Sequence, residues 1–195
     1  MLIGLTGSIG MGKSATAAMF RDEGAPVHDS DAAVHKLYRG GAAAAKIGEH
    51  FPMAIVDGAV DRSRLGPEVI GKPERMKLLE SIIHPMVEQA RLDFIEHNTR
   101  LGRMIMILDI PLLFEIGGEN NVDVIAVASA PDHIQEQRVL ARLGMTREKF
   151  LAIRARQLPN SEKRRRAHFV IDTSRGFDVA RRQVQAFLRA ISAAS

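Results

Sequence analysis

Near the start of the chain, glycines, a lysine and a serine fall at a spacing that phosphate chemistry uses. The run is Gly7-Ser8-Ile9-Gly10-Met11-Gly12-Lys13-Ser14. It fits G-x-x-x-x-G-K-[ST] at every fixed position. Glycines let the backbone curl so that several N–H groups converge on phosphate oxygens. The helix expected from Lys13 adds positive potential at the same point. Lys13 would place an ammonium beside the β- and γ-phosphates, and the Ser14 hydroxyl could ligate Mg²⁺. The segment reads as a purine nucleotide phosphate site, for ATP or GTP.

Two further groups of residues suit transfer chemistry. Asp29 and Asp31 lie two apart where a short strand turns into a helix. Such carboxylates can hold Mg²⁺ or orient an attacking hydroxyl. Asp29 could equally cap the helix, and Asp31 would suit its first turn. The second group is basic: Arg138, Arg142, Arg147, Arg154 and Arg156, then Lys163-Arg164-Arg165-Arg166. Arginines on a closing segment, residues 138–166, would neutralise a transferring phosphoryl group and exclude water. A solvated helix face or a nucleic-acid patch is the alternative.

Other users of the same loop fit less well. No Asn-Lys-x-Asp segment is available to read guanine. The strand ending Leu108-Asp109 carries one acid rather than the pair common in motor ATPases. Asp109 could assist a metal from its strand end or cap the turn before Pro111.

The elements that must hold these residues alternate. Apolar strands are expected at 1–6, 26–28, 104–108, 122–128 and 169–171, and helices at 13–24, 30–38, 131–143, 146–158 and 177–191. Residues 61–99 read as two or three helices, with Pro73 and Pro85 at helix starts. Phe177, Ala180, Val184, Phe187, Leu188 and Ile191 form one stripe on the closing helix. Alternation of this kind predicts a three-layer α/β fold with a mainly parallel sheet, formed by a single domain of 195 residues.

Composition narrows the class. There is no cysteine, which excludes disulfides, thiolate metal sites and cysteine nucleophiles. Tryptophan is absent and aromatics are 5%, against a base-stacking platform. Residues 1–130 hold 13 basic and 17 acidic side chains, whereas residues 131–195 hold 14 and 6. One basic segment on an acidic body suggests a local anion site rather than a nucleic-acid coat. No apolar run approaches the ~20 residues of a membrane span, and no signal peptide is expected.

Taken in order, the motifs resemble those of the dephospho-CoA kinase family. The resemblance rests on Gly4-Leu5-Thr6-Gly7 leading into the loop, Asp29-Ser30-Asp31 with His35, Gly40-Gly41, and Ile83-His84-Pro85. It continues through Asp109-Ile110-Pro111-Leu112-Leu113-Phe114-Glu115, Gln137-Arg138 with Arg142, Arg156-Gln157, Lys163 and Phe169–Asp172. It implies a five-stranded P-loop kinase core with a helical acceptor-binding insertion (61–99) and a lid (138–166). It also implies ATP-dependent phosphorylation of the ribose 3′-hydroxyl of dephospho-CoA, in the cytoplasm, with Mg²⁺. ATP phosphates would dock on Gly10, Met11, Gly12, Lys13, Ser14 and Ala15, with Ser14 at the metal. Asp31 would be the base, and Lys13, Arg138 and Arg142 would stabilise charge. Pro111, Leu112, Leu113, Phe114 and Glu115 would form part of the acceptor wall, or serve as core, and His84 would lie near the acceptor or simply pack. Position 8 is Ser, position 11 Met and position 15 Ala where the family usually has Gly, Ser and Thr. Ala167-His168 and Asp172-Thr173 replace Ala-Asp and Asp-Asn, close to the expected adenine contacts.

Overall fold

The computed structural model describes residues 1–194, which fall into two compact units: residues 29–101, and residues 1–28 with the chain from Gly102 onward. The second of these carries the sheet. Its strands are β1 (Leu2–Thr6), β2 (Val27–Asp29), β5 (Met106–Asp109), β6 (Val124–Ser129) and β7 (Phe169–Asp172), ordered β2-β5-β1-β6-β7. β1 lies parallel to β5, with Ile3 opposite Ile107, and parallel to β6, with Ile3 opposite Val124. β6 is parallel to β7. All four residues of β5 are buried, as a strand covered on both faces requires.

One layer of the core joins Ile3, Leu5, Phe20, Ile107, Ile171, Val184 and Phe187. It is built by helix α1 (Lys13–Asp22) and the closing helix α9 (Phe177–Ala194) against the sheet. Ala180, Val184, Phe187 and Ile191 of the α9 stripe are buried, whereas Phe177 is 73% exposed. Phe187 meets Phe20 edge-on at 6.1 Å and stacks on Phe169 at 4.7 Å. The other face packs Leu113, Phe114, Ile125 and Val127. Three further helices complete this unit: α6 (Asp132–Leu140), α7 (Arg147–Ala155) and α8 (Asn160–Arg166).

The unit from Asp29 to Leu101 holds helices α2 (Ser30–Tyr38), α3 (Gly41–His50), α4 (Arg62–Val69) and α5 (Pro73–Arg100), and a hairpin of β3 (Ile55–Val56) with β4 (Ala59–Val60). Its own core includes Ile47, Phe51, Leu65, Leu79 and Ile83. Helix α3 and the hairpin have no counterpart among the sequence expectations. Pro85 does not start a helix: it lies inside the 28-residue α5. Proline there leaves the Ser81 carbonyl without its helical donor. Ser81, His84 and Pro85 are all exposed, so water can serve that carbonyl. Pro73, at the first position of α5, behaves as expected. Among the described residues, no helix is long and apolar enough to cross a membrane.

Candidate active site

The loop from Gly7 to Gly12 joins β1 to α1 and is packed tightly from behind. A Cβ on Gly7 would meet the Ala128 carbonyl at 2.8 Å, and one on Gly10 would meet Val139 of α6 at 2.5 Å. Gly10 and Gly12 have φ of 76° and 86°, a region that only glycine enters freely. No side chain caps α1, so its first N–H groups stay available to an anion. Met11 is fully buried, and its Sδ accepts the Ala130 N–H at 3.1 Å.

Lys13 Nζ lies 2.6 Å from Asp109 Oδ1, with the two side chains 14% and 2% exposed. The carboxylate at the end of β5 thus fixes the ammonium at the loop. Thr6 Oγ1 donates to the Pro111 carbonyl at 3.1 Å, tying the loop's entry to the turn that follows Asp109. Ser14 is exposed in the first turn of α1. Among the described residues no three His, Cys, Asp or Glu side chains gather as a metal cage. A lone hydroxyl fits an ion that keeps most of its waters and takes phosphate oxygens, the habit of Mg²⁺.

Two cavities flank the loop. One, of about 230 Å³, is bordered by Gly10, Gly12, Arg138, Arg142, Thr173 and Phe177. Arg138, expected on a closing segment, is engaged here: it donates from Nη1 to Thr173 Oγ1 at 2.9 Å and from Nη2 to the Thr173 carbonyl at 2.6 Å. Thr173 Oγ1 in turn reaches the Met11 carbonyl at 2.8 Å. The other cavity, about 530 Å³, is bordered by Ser8, Gln135, Arg154, Gln157, Asn160 and Arg164, among others. Arg164 donates to Ser129 Oγ at 3.2 Å, and Arg154 lies 3.9 Å from Asp132. Asp172 also borders it. Hydrogen bonds from the Ser174 hydroxyl and N–H hold its carboxyl below the usual range against the opposing effect of burial, helped by Arg175 and Arg164.

Of the segment from Pro111 to Glu115, only Leu112 is exposed, and Pro111 and Glu115 are half-buried. Leu113 and Phe114 are core. Glu115 Oε1 accepts the Leu158 N–H at 2.8 Å and pairs with Lys163 Nζ at 2.8 Å. Lys163 is 0% exposed. Burial opposes ionisation of Glu115, but the Lys163 ammonium and the Leu158 N–H outweigh it and leave its carboxyl below the ordinary value. These three side chains therefore face inward, because lysine is fully buried only when a partner is buried with it. Next to them, Arg166 pairs with Glu119 and lies 4.5 Å over the Phe114 ring.

In the other unit, Asp29 Oδ1 accepts the Ala32 N–H at 2.9 Å and caps α2. Asp31 is exposed in the first turn of α2. His35 is exposed and meets Arg62 at 2.8 Å, and His84 is exposed on α5. Sequence reading did not single out Gln135, Ser129, Asn160 or Arg164 individually. It noted Thr173 only as a departure and Gln157 only within a motif.

A cradle of amides between β1 and α1, its lysine set by a carboxylate from the neighbouring strand, marks the fold as that of a P-loop kinase. A family model described as CoaE: Dephospho-CoA kinase matches residues 1–178. The dephospho-CoA kinase of Mesorhizobium japonicum is 52% identical over 188 residues, 96% of this chain and 95% of that one. The crystal structure of TT1252 from Thermus thermophilus is 37% identical, with a TM-score of 0.83 over 97% of each chain. The solved structure of the dephospho-CoA kinase from Campylobacter jejuni shares the fold, at 21% identity and a TM-score of 0.69 over 97% of this chain and 96% of that one. The chain belongs to the dephospho-CoA kinase family.

Proposed function

We propose that the protein transfers the γ-phosphoryl group of ATP to the ribose 3′-hydroxyl of dephospho-CoA, giving CoA and ADP, in the cytoplasm. The observation that carries this reading is the Lys13–Asp109 pair set into a glycine cradle, in a chain of this family. The amides of Gly10 to Ala15 hold the phosphates, and Lys13 neutralises charge on the group in flight. Ser14 would hold Mg²⁺, which, when bound, neutralises the β- and γ-phosphate oxygens. Asp31 accepts the proton of the 3′-hydroxyl as that oxygen attacks.

Two roles are reassigned from the sequence reading. Both η-nitrogens of Arg138 donate to Thr173, so its plane forms a wall of the smaller, largely apolar cavity, which suits a purine ring. Arg142 flanks the same cavity. Charge neutralisation from the lid then falls to Arg154 and Arg164, at the larger polar cavity. The turn from Pro111 to Glu115 acts as the seat of the lid, with Pro111 and Leu112 alone left to meet an acceptor.

ADP release measured with dephospho-CoA beside nucleosides and nucleoside monophosphates tests the assignment. Turnover with dephospho-CoA at least 100-fold above the others supports it. Preference for a nucleoside or a monophosphate would make the chain a different small-molecule kinase.

A further inference from the structure

The backbone of Ile9 is gripped on both sides of its Cα. Its N–H donates to Gln157 Oε1 at 3.1 Å, and its carbonyl accepts from Gln135 Nε2 at 2.7 Å. Gln135 belongs to α6 and is 2% exposed. Gln157 lies between α7 and α8, in the short joint of residues 156–159. The very next residue, Leu158, gives its N–H to Glu115 Oε1, the oxygen that also takes the Lys163 ammonium. Two consecutive residues of the joint are thus fastened to different parts of the core. Gln157 is fastened to the phosphate loop and Leu158 to the turn after β5. That turn is itself tied to the loop by Lys13–Asp109 and Thr6–Pro111. The contacts close a ring through the cradle, β5, the turn and the joint.

The joint lies between the two arginines of the larger cavity. Arg154 precedes Gln157 on α7 and Arg164 follows it on α8, and all three residues border that cavity. Setting the joint against the loop sets both guanidiniums against it too. A glutamine can do this where a carboxylate would intrude. It offers an acceptor to a loop N–H without bringing negative charge to a triphosphate site. We propose that Gln157 is a positioning residue for phosphoryl transfer: through Ile9 it registers the α7–α8 joint on the phosphate loop, and so aims Arg154 and Arg164. This inference rests on the reading of residues 138–166 as a lid over ATP. Small displacements of aligned groups are costly, of the order of 100-fold for about 1 Å.

The test compares Gln157→Met, which keeps the length and loses the acceptor, with Gln157→Glu, which keeps the acceptor. ADP and CoA are quantified separately, and hydrogen exchange of the Ile9 amide is followed in the same proteins. In Gln157→Met, CoA formation should fall 10- to 100-fold at saturation, with KM for ATP within threefold. ADP formed per CoA should rise above one, and Ile9 should exchange at least tenfold faster. In Gln157→Glu, ADP per CoA should return towards one and Ile9 protection should persist, while KM for ATP rises from charge repulsion. Arg154→Met and Arg164→Met serve as controls on the lid. If these two lower CoA formation while Gln157→Met leaves it and the Ile9 amide unchanged, the role of Gln157 is refuted and the lid stands. If neither arginine matters, or the wild type fails to phosphorylate dephospho-CoA, the reading beneath falls, and this inference with it.

Discussion

Replacing Lys163 by methionine should destabilise the fold by an amount that depends on pH in a direction opposite to ordinary acid sensitivity. The ammonium is 0% exposed and 2.8 Å from Glu115, whose side chain is 15% exposed. Among the described residues no other acceptor reaches Lys163 Nζ, and Glu115 Oε2 is buried without a hydrogen bond. Removing one partner of a buried pair strands the other charge, at a cost of about 3–5 kcal/mol. The lower end applies, since Glu115 keeps the Leu158 N–H and some solvent. For a chain of this size about 3 kcal/mol lowers Tm by roughly 6–12 °C. In the wild type the Glu115 carboxyl sits below its ordinary value of 4.5 in the folded state. Its contribution is therefore full above about pH 4.5 and is lost as pH falls through the folded value. Without Lys163 the carboxyl loses both the hydrogen bond and the charge that the ammonium supplies, so its pKa rises relative to wild type. The folded variant then takes up its proton at higher pH than the folded wild type does, so the deficit of Lys163→Met shrinks as pH falls from 7 towards 4. The double variant Glu115→Gln/Lys163→Met removes both charges and keeps an acceptor for Leu158. It should lie within about 1 kcal/mol of wild type at pH 7. Urea unfolding followed by far-UV circular dichroism is the assay, because the chain has no tryptophan and one tyrosine. A single variant that is no less stable than the double, or a deficit that stays constant with pH, would refute the stranded-charge argument.

Asp31→Asn should abolish CoA formation while ATP affinity stays within a few fold, since it removes the proton acceptor and keeps the shape; near-normal turnover would exclude Asp31 as the base. Lys13→Ala should damage both nucleotide binding, read by calorimetry with Mg²⁺ present, and the rate. It also removes the ammonium 2.6 Å from the buried Asp109 carboxylate, so a fall in Tm should accompany the kinetic loss. Gly10→Ala should weaken ATP binding at least tenfold. Its methyl would strike Val139 at 2.5 Å and the Gln135 carbonyl at 3.0 Å, at a φ of +76°; wild-type affinity in this variant would show that the loop is not packed against α6.

Sequence reading reached the cradle, the five strands and the family because each leaves a local mark. The glycines precede a lysine at fixed spacing, and buried parallel strands appear as short unbroken apolar runs such as Met106–Leu108. Long-range pairing leaves no such mark. Lys163 stands in a run of four cations that reads as part of a closing segment, with a solvated face as the alternative, yet it alone of the four is buried, because Glu115, 48 positions away in the chain, meets it. Arg138 reads as part of the same closing segment for the same reason: its anchor, Thr173, lies 35 positions further along the chain, just after β7. Pro85 misled in another way. Proline is a strong local signal, but in α5 it falls on a wet face where the lost helical bond is cheaply replaced.

The close approach of Lys13 to Asp109 bears on how a polyanion would arrive. A charge cancelled at 2.6 Å projects little field into solvent, so the floor of the cradle attracts weakly from afar and grips only on contact. Capture at a distance then belongs to guanidiniums that solvent can reach, such as Arg142, Arg154 and Arg164. Ionic strength should slow the arrival of nucleotide far more than it hastens departure, a division of labour between rim and floor.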